Sequence, residues 1–189
     1  MQDSKAMARK ILLGLIMSMV LTSLAEAGTM PAKIVVGRSE KIRLLPEDIV
    51  LEARVDTGAT TSSIDAHDIQ SFERDGQTWM RFRVRDKIGN TDKVFERPRV
   101  RSVRIKNRAA EENVGKKYER RPVVRILACL DGRAKEIEVN LADRSRFAFP
   151  MLLGRSGIVD FDAVVDPSIG SDVSPNCEPD SSTKPQNDS

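Results

Sequence analysis

The feature that most constrains this chain is a set of segments in which apolar and polar residues alternate. Ile49, Leu51, Ala53 and Val55 alternate with Val50, Glu52 and Arg54. Met80, Phe82 and Val84 alternate with Arg81, Arg83 and Arg85. Val124, Ile126, Ala128 and Leu130 alternate with Arg125, Leu127 and Cys129, and Ile137, Val139 and Leu141 with Glu136, Glu138 and Asn140. A period of two turns one face to a core and the other to water, which is the mark of half-buried β-strands. Asp131-Gly132 separates the last two runs and predicts a tight hairpin. Within Arg99–Ile105 the phase slips at Ser102, which predicts a bulge. Asn107–Arg121, charged and mixed in sign, reads as a surface loop. The expectation is an all-β fold, a small closed barrel, with one short helix after Gly154.

The ends read differently. Lys5, Arg9 and Lys10 precede an apolar run from Ile11 to Leu21, and Ala25-Glu26-Ala27 follows as an A-x-A exit. Basic start, short apolar stretch and small-residue exit make a signal peptide over residues 1–27. The start codon falls at Met1 or Met7. The apolar run is shorter than the roughly 20 residues a bilayer span needs, so no membrane span is expected after cleavage. The inferred compartment is the bacterial periplasm. Residues 167–189 are rich in Ser, Asp, Pro and Asn and read as a disordered tail. Residues 32–166 remain as one domain.

Composition narrows the chemistry. The chain of 189 residues has 31 Lys+Arg against 28 Asp+Glu, a net charge of +3. That excess is too small to argue for nucleic acid. Outward basic stripes exist at Arg81, Arg83 and Arg85, and at Arg97, Arg99, Arg101 and Arg104, but a single Trp and a single Tyr offer little for base stacking. Solvated strand faces are the plainer account, with contact to acidic substrate segments or anionic envelope material as the alternative. No nucleic-acid partner is expected. One histidine and two cysteines leave little for a metal cluster. His67 beside Asp65 and Asp68 could form a metal corner, but a solvated histidine between two acids is the simpler reading. A phosphate-cradling loop is absent, so ATP use has no support. Neither zinc nor any other cofactor is expected. An exported compartment permits Cys129 and Cys177 to form a disulfide, within the chain or between chains.

The sharpest motif is Val55-Asp56-Thr57-Gly58-Ala59, at the end of an apolar strand. Taken alone it is an ordinary strand-to-turn sequence. A Ser/Thr-rich strand follows over Thr60–Ala66, and a second apolar run, Met151-Leu152-Leu153, closes on Gly154.

With these residues the chain resembles the retropepsin-like aspartic peptidases, whose pattern is Asp-Thr-Gly-Ala and a later apolar-apolar-Gly. It is most similar to a bacterial family labelled ATP-dependent zinc protease. The residues that carry the likeness are Arg54–Ala59, Ser63-Ile64-Asp65-Ala66, Phe72-Glu73-Arg74-Asp75-Gly76, Met151-Leu152-Leu153-Gly154-Arg155 and Val165-Asp166-Pro167. Thr60 departs from the pattern, since relatives often carry a basic residue there. The zinc and ATP of that label conflict with the residues present, because there is no H-E-x-x-H and only one histidine.

The resemblance implies an aspartic endopeptidase with Asp56 catalytic. Thr57, Gly58 and Ala59 would support it, and Leu152, Leu153 and Gly154 would brace its loop from beneath. A flap is expected at Ile88, Gly89 and Asn90. Aspartic proteolysis needs two carboxylates sharing one proton. This chain has one such triplet in a domain of one lobe, so the second carboxylate would come from a second copy, in a homodimer that hydrolyses a peptide or protein substrate. The alternative is a non-catalytic envelope module that binds peptides on the same barrel.

Overall fold

The computed structural model describes residues 32–86, 91–106, 118–171 and 173–177. The signal segment 1–27, the candidate flap Ile88–Asn90, residues 107–117 of the expected loop and residues 178–189 of the tail lie outside the described residues. Among the described residues no helix is long and apolar enough to cross a membrane.

Eleven strands and one helix follow in order: β1 (Ile34–Val36), β2 (Ser39–Leu45), β3 (Ile49–Asp56), β4 (Ser62–Asp65), β5 (His67–Arg74), β6 (Gln77–Asp86), β7 (Thr91–Lys106), β8 (Tyr118–Leu130), β9 (Arg133–Ala142), β10 (Met151–Gly154), α1 (Arg155–Asp160) and β11 (Ala163–Val165). Six of them form a ring in the order β2-β3-β10-β4-β9-β8, and β8 closes it by pairing with β2 through Leu44↔Ala128. This is the closed barrel that the alternation predicts, with the short helix directly after Gly154. From β8 the sheet runs on through β7, β6 and β5, while β1 and β11 pair in parallel as a separate two-stranded sheet.

The alternating apolar residues fill the interior. Ile42, Leu44, Leu51, Ala53, Ile64, Ile126, Ile137, Leu141 and Met151 are all buried. Each such side chain withdrawn from water stabilises by about 1.5–3 kcal/mol. Phe82 and Phe95 face each other across β6 and β7 and stack at 5.3 Å between ring centroids. The Asp131-Gly132 hairpin is present, with φ of 50° and 73°, the left-handed pair that a two-residue turn between twisted strands requires. Asp75-Gly76 repeats the device between β5 and β6, with φ of 53° and 72°.

The structure departs from the sequence reading in several details. The expected loop Asn107–Arg121 ends earlier, because Tyr118–Arg121 already belong to β8 and pair with β7. Charged residues alternate on a strand as readily as in a loop when neither face is core, so composition misled there. The irregularity of β7 lies between Arg99 and Arg101, just before Ser102. Cys129, placed by its phase on the polar face, is fully buried.

The cover over Cys129 is the chain after Asp166. Read from composition as disordered, this segment lies against the barrel as far as Cys177. Asp131 N–H donates to Ser174 O at 2.8 Å and Gly132 N–H to Asn176 O at 3.1 Å. Arg43 Nη2 donates to Asn176 Oδ1 at 2.8 Å. The buried carboxylate of Glu40 accepts the Gly37 N–H at 2.6 Å and the Val173 N–H at 3.4 Å. Cys177 and Cys129 are joined by a disulfide within the chain. Backbone hydrogen bonds and a covalent link hold what apolar content alone would not.

Candidate functional site

Asp56 is the last residue of β3 and is half-buried. The chain turns immediately after it. Gly58 N–H donates to Asp56 Oδ1 at 2.9 Å and Ala59 N–H to Asp56 O at 3.3 Å. A Cβ at Gly58 would stand 3.0 Å from that carboxylate oxygen. The glycine therefore lets a backbone donor approach the acid closely. Thr57 is exposed at the tip of the turn.

Beneath the turn runs β10, inserted between β3 and β4. It pairs in parallel with β3, bringing Gly154 level with Asp56, and antiparallel with β4. Leu153 is buried in the core and Leu152 half-buried, so both pack as well as brace. Beyond Gly154 the chain bonds directly to the Asp56 loop. Arg155 N–H donates to Ala59 O at 2.9 Å and Ser156 N–H to Thr60 O at 3.0 Å. The sequence motif thus places Asp56, Thr57, Gly58, Ala59, Leu152, Leu153 and Gly154 in one cluster.

Several members of this cluster were not singled out from sequence as site residues. Arg155 Nη1 donates to Thr57 O at 2.8 Å and Gly58 O at 3.1 Å, and its Nη2 to Thr60 Oγ1 at 2.9 Å. One guanidinium so staples both sides of the loop, and the unusual Thr60 supplies one of its acceptors. Ser62 is buried, and its Oγ accepts the Gly154 N–H at 3.1 Å. Asn140, also buried, donates from Nδ2 to Ser62 O at 2.7 Å and lies 3.2 Å from Ser63 Oγ through Oδ1. The Ser/Thr richness after the Asp-Thr-Gly triplet was the available signal, because small hydroxyl residues supply such internal acceptors without bulk.

A second acid lies at the far end of β4. Asp65 is buried and accepts the Arg144 N–H at 2.6 Å. Arg144 is buried as well, donates from Nε to Phe149 O at 3.2 Å and rests over the Phe147 ring. Burial lowers its pKa from the ordinary value, Asp65 and Asp56 oppose that, and Arg121 adds to it. His67 Nε2 stands 3.3 Å from Asp65 Oδ2, whereas Asp68 pairs with Arg83 at 3.3 Å. Of the two acids near His67, Asp65 faces the imidazole and also accepts the Arg144 N–H, while Asp68 turns to Arg83. Among the described residues no group of three or more His, Cys, Asp or Glu side chains converges.

The outward arginines are mostly neutralised. Arg74 and Arg81 share Glu96, Arg85 pairs with Asp92, Arg97 with Glu47 and Arg101 with Glu138. These basic stripes are strand faces laced with acids. A surface cavity of about 660 Å³ adjoins the Asp56 loop, lined among others by Arg38, Arg54, Thr57, Phe149, Val165 and Pro167.

The comparisons with known proteins agree with this geometry. Residues 35–171 match the family described as RimB-like, retropepsin-like aspartic endopeptidase RimB. A crystal structure of Lpg0085, a protein of unknown function from Legionella pneumophila, is 34% identical with a TM-score of 0.63, covering 74% of this chain and 98% of that one. A probable alpha-L-glutamate ligase of Desulfotalea psychrophila is 37% identical over 63% of this chain and 25% of its own length. A protein of the same description from Shewanella pealeana is 36% identical over 62% of this chain and 25% of its own. The chain therefore spans about a quarter of the length of these curated relatives. The narrower zinc-protease label has no counterpart in these descriptions. On the match across nearly all of its described fold, the chain belongs to the RimB-like family of retropepsin-like aspartic endopeptidases.

Proposed function

We propose that the protein is an exported aspartic endopeptidase, active as a homodimer in the periplasm, with Asp56 as its catalytic carboxylate. The observation that carries the reading is the placement of Asp56: at a strand end, half-buried, bonded to the Gly58 N–H and level with Gly154. Two such carboxylates meeting at a two-fold axis would share one proton. The ionised one takes a proton from water as its oxygen attacks the peptide carbonyl, and the protonated one donates to the carbonyl oxygen. The tetrahedral intermediate then collapses, the C–N bond breaks, and the amine leaves with the transferred proton. No metal or cofactor has a part in these steps.

The relatives' description adds a substrate class. They are named for joining glutamate, and this chain matches only a quarter of them. A peptidase fold within a protein that handles glutamate supports acidic, glutamate-bearing peptides as substrates. A reading of this chain as itself a ligase lacks support, since ligation needs an activated acyl donor and no phosphate-cradling loop is present. The second reading, a non-catalytic peptide-binding module, keeps the same cleft without the water chemistry.

The test is cleavage of a peptide mixture by the purified chain beside Asp56→Asn, across acidic to neutral pH, read by mass spectrometry. Cleavage that is lost in Asp56→Asn and unaffected by chelator is the expected result. Cleavage retained in Asp56→Asn would refute the assignment.

A further inference from the structure

We propose that Arg38 and Arg54 form the specificity pocket of this enzyme, binding the carboxylate of an acidic side chain next to the scissile bond. The inference rests on the reading of Asp56 as catalytic and adds the residues that select the substrate.

Four observations carry it. Arg54 and Asp56 lie two residues apart on β3, so their side chains leave the same face of the strand, about 7 Å apart along it. A bound extended peptide advances by a similar length per two residues, so a group held by Arg54 belongs to a residue flanking the bond at Asp56. Arg38 is brought alongside by its own backbone: Arg38 O accepts the Val55 N–H at 3.0 Å, and the neighbouring Ser39 pairs with Arg54. Both arginines line the cavity that includes Thr57.

The third observation is electrostatic. Both side chains are exposed, and among the described residues neither guanidinium has an ion-pair or hydrogen-bond partner. On the sheet faces, by contrast, Glu47, Asp92, Glu96 and Glu138 neutralise Arg97, Arg85, Arg74, Arg81 and Arg101. Two cations in one cavity without an anion repel each other, and a ligand carboxylate relieves that repulsion. Guanidinium groups also match a carboxylate in planar, paired hydrogen bonds. The fourth observation is the rest of the wall. Val55, Phe149 and Val165 are apolar and suit the methylene stem of a glutamate.

The test separates binding from chemistry. Fluorescently labelled alanine octapeptides carrying one central glutamate, or glutamine in its place, are titrated against the full chain bearing Asp56→Asn, with anisotropy as readout. The glutamate peptide is expected to bind at least roughly tenfold more tightly, the scale of one charge-assisted contact. Adding Arg54→Gln or Arg38→Gln removes most of that preference, and Arg54→Lys keeps part of it. Arg54→Glu moves the preference toward a lysine peptide. Because both side chains are exposed, these variants leave the core intact, and circular dichroism confirms the fold. Equal binding of the glutamate and glutamine peptides overturns the proposal, as does a preference untouched by both Arg→Gln changes. The two readings fail separately. A chain that cleaves peptides without acidic preference keeps its catalytic assignment and loses the pocket. One that discriminates glutamate but cleaves nothing keeps the pocket and loses the catalysis.

Discussion

Gly154→Ala tests whether β10 truly props the Asp56 loop. Gly154 has φ −84°, a value that alanine adopts freely, so any cost arises from contact alone. A Cβ there would lie 2.8 Å from Thr61 C, 3.0 Å from Ser62 N and 3.0 Å from Thr60 O. All three are backbone atoms, which cannot rotate away as a side chain can. Either β10 withdraws from β4 or the Thr60–Ser62 backbone shifts outward. Overpacking of this kind costs about 1–3 kcal/mol. The buried Gly154 N–H to Ser62 Oγ bond lengthens in either case, adding about 1 kcal/mol. The total is about 2–4 kcal/mol, which with a slope near 2 kcal/mol/M lowers the urea midpoint by about 1–2 M. Arg155 and Ser156 carry the displacement into Ala59 and Thr60, so activity of the still-folded variant also falls. Gly170→Ala is the control, since nothing lies within 4 Å of a Cβ there, and it is expected to change stability by less than about 0.5 kcal/mol. A Gly154→Ala midpoint within about 0.25 M of the unaltered chain refutes the brace, because it would mean that the contacts yield without cost.

Cys177→Ser opens a loop with a sequence separation of 48, for which chain entropy gives a loss of about 4 kcal/mol. Thermal melts with and without reductant check it, and a loss below about 1 kcal/mol would show that the segment's hydrogen bonds suffice. Burial, followed by repulsion from Glu138, raises the pKa of Asp160, which ends α1. A raised carboxyl pKa destabilises the fold above the unfolded value and costs nothing when both states are protonated. Asp160→Asn is therefore expected to stabilise slightly, by less than about 1 kcal/mol at neutral pH, with the gain vanishing below about pH 4. Melts at both pH values decide it, and equal gains at both would contradict the linkage. If Thr57 ties two subunits through its hydroxyl, Thr57→Val weakens self-association in sedimentation while Thr57→Ser retains most of it. Indistinguishable dimerisation of the two variants would remove that role.

The barrel was legible in the sequence because its information is local. β3, β6, β8 and β9 advertise themselves through a period of two, and the hairpin at Asp131-Gly132 through the left-handed conformations these residues tolerate. The Asp56 triplet was legible for the same reason, since a carboxylate, a hydroxyl and a glycine stand in consecutive positions. Legibility failed where local pattern and burial part company. Tyr118–Arg121 is strand without an apolar face, and Cys129 is buried by a partner 48 residues away. The segment up to Cys177 has no apolar stripe, yet it is ordered by the hairpin amides and the Glu40 carboxylate.

By itself, then, the sequence determined the class of fold, its principal strands and the acid at the end of β3. Those properties depend on side-chain periodicity and on residues adjacent in the chain. Tertiary structure alone decided which distant segments surround that acid. Inserting β10 between β3 and β4 sets Gly154 against Asp56 and lets Arg155 grip the Thr57–Thr60 loop. Pairing β2 with β3 brings Arg38 beside Arg54, while the β9–β10 loop contributes Phe149 and the C-terminal segment Pro167 to the same cavity. Gly154 is far in sequence from Asp56, Arg155 from Thr57–Thr60, and Phe149 and Pro167 from Arg38 and Arg54. Their meeting is a consequence of barrel closure, in which the register of one strand pair fixes the partners of the next.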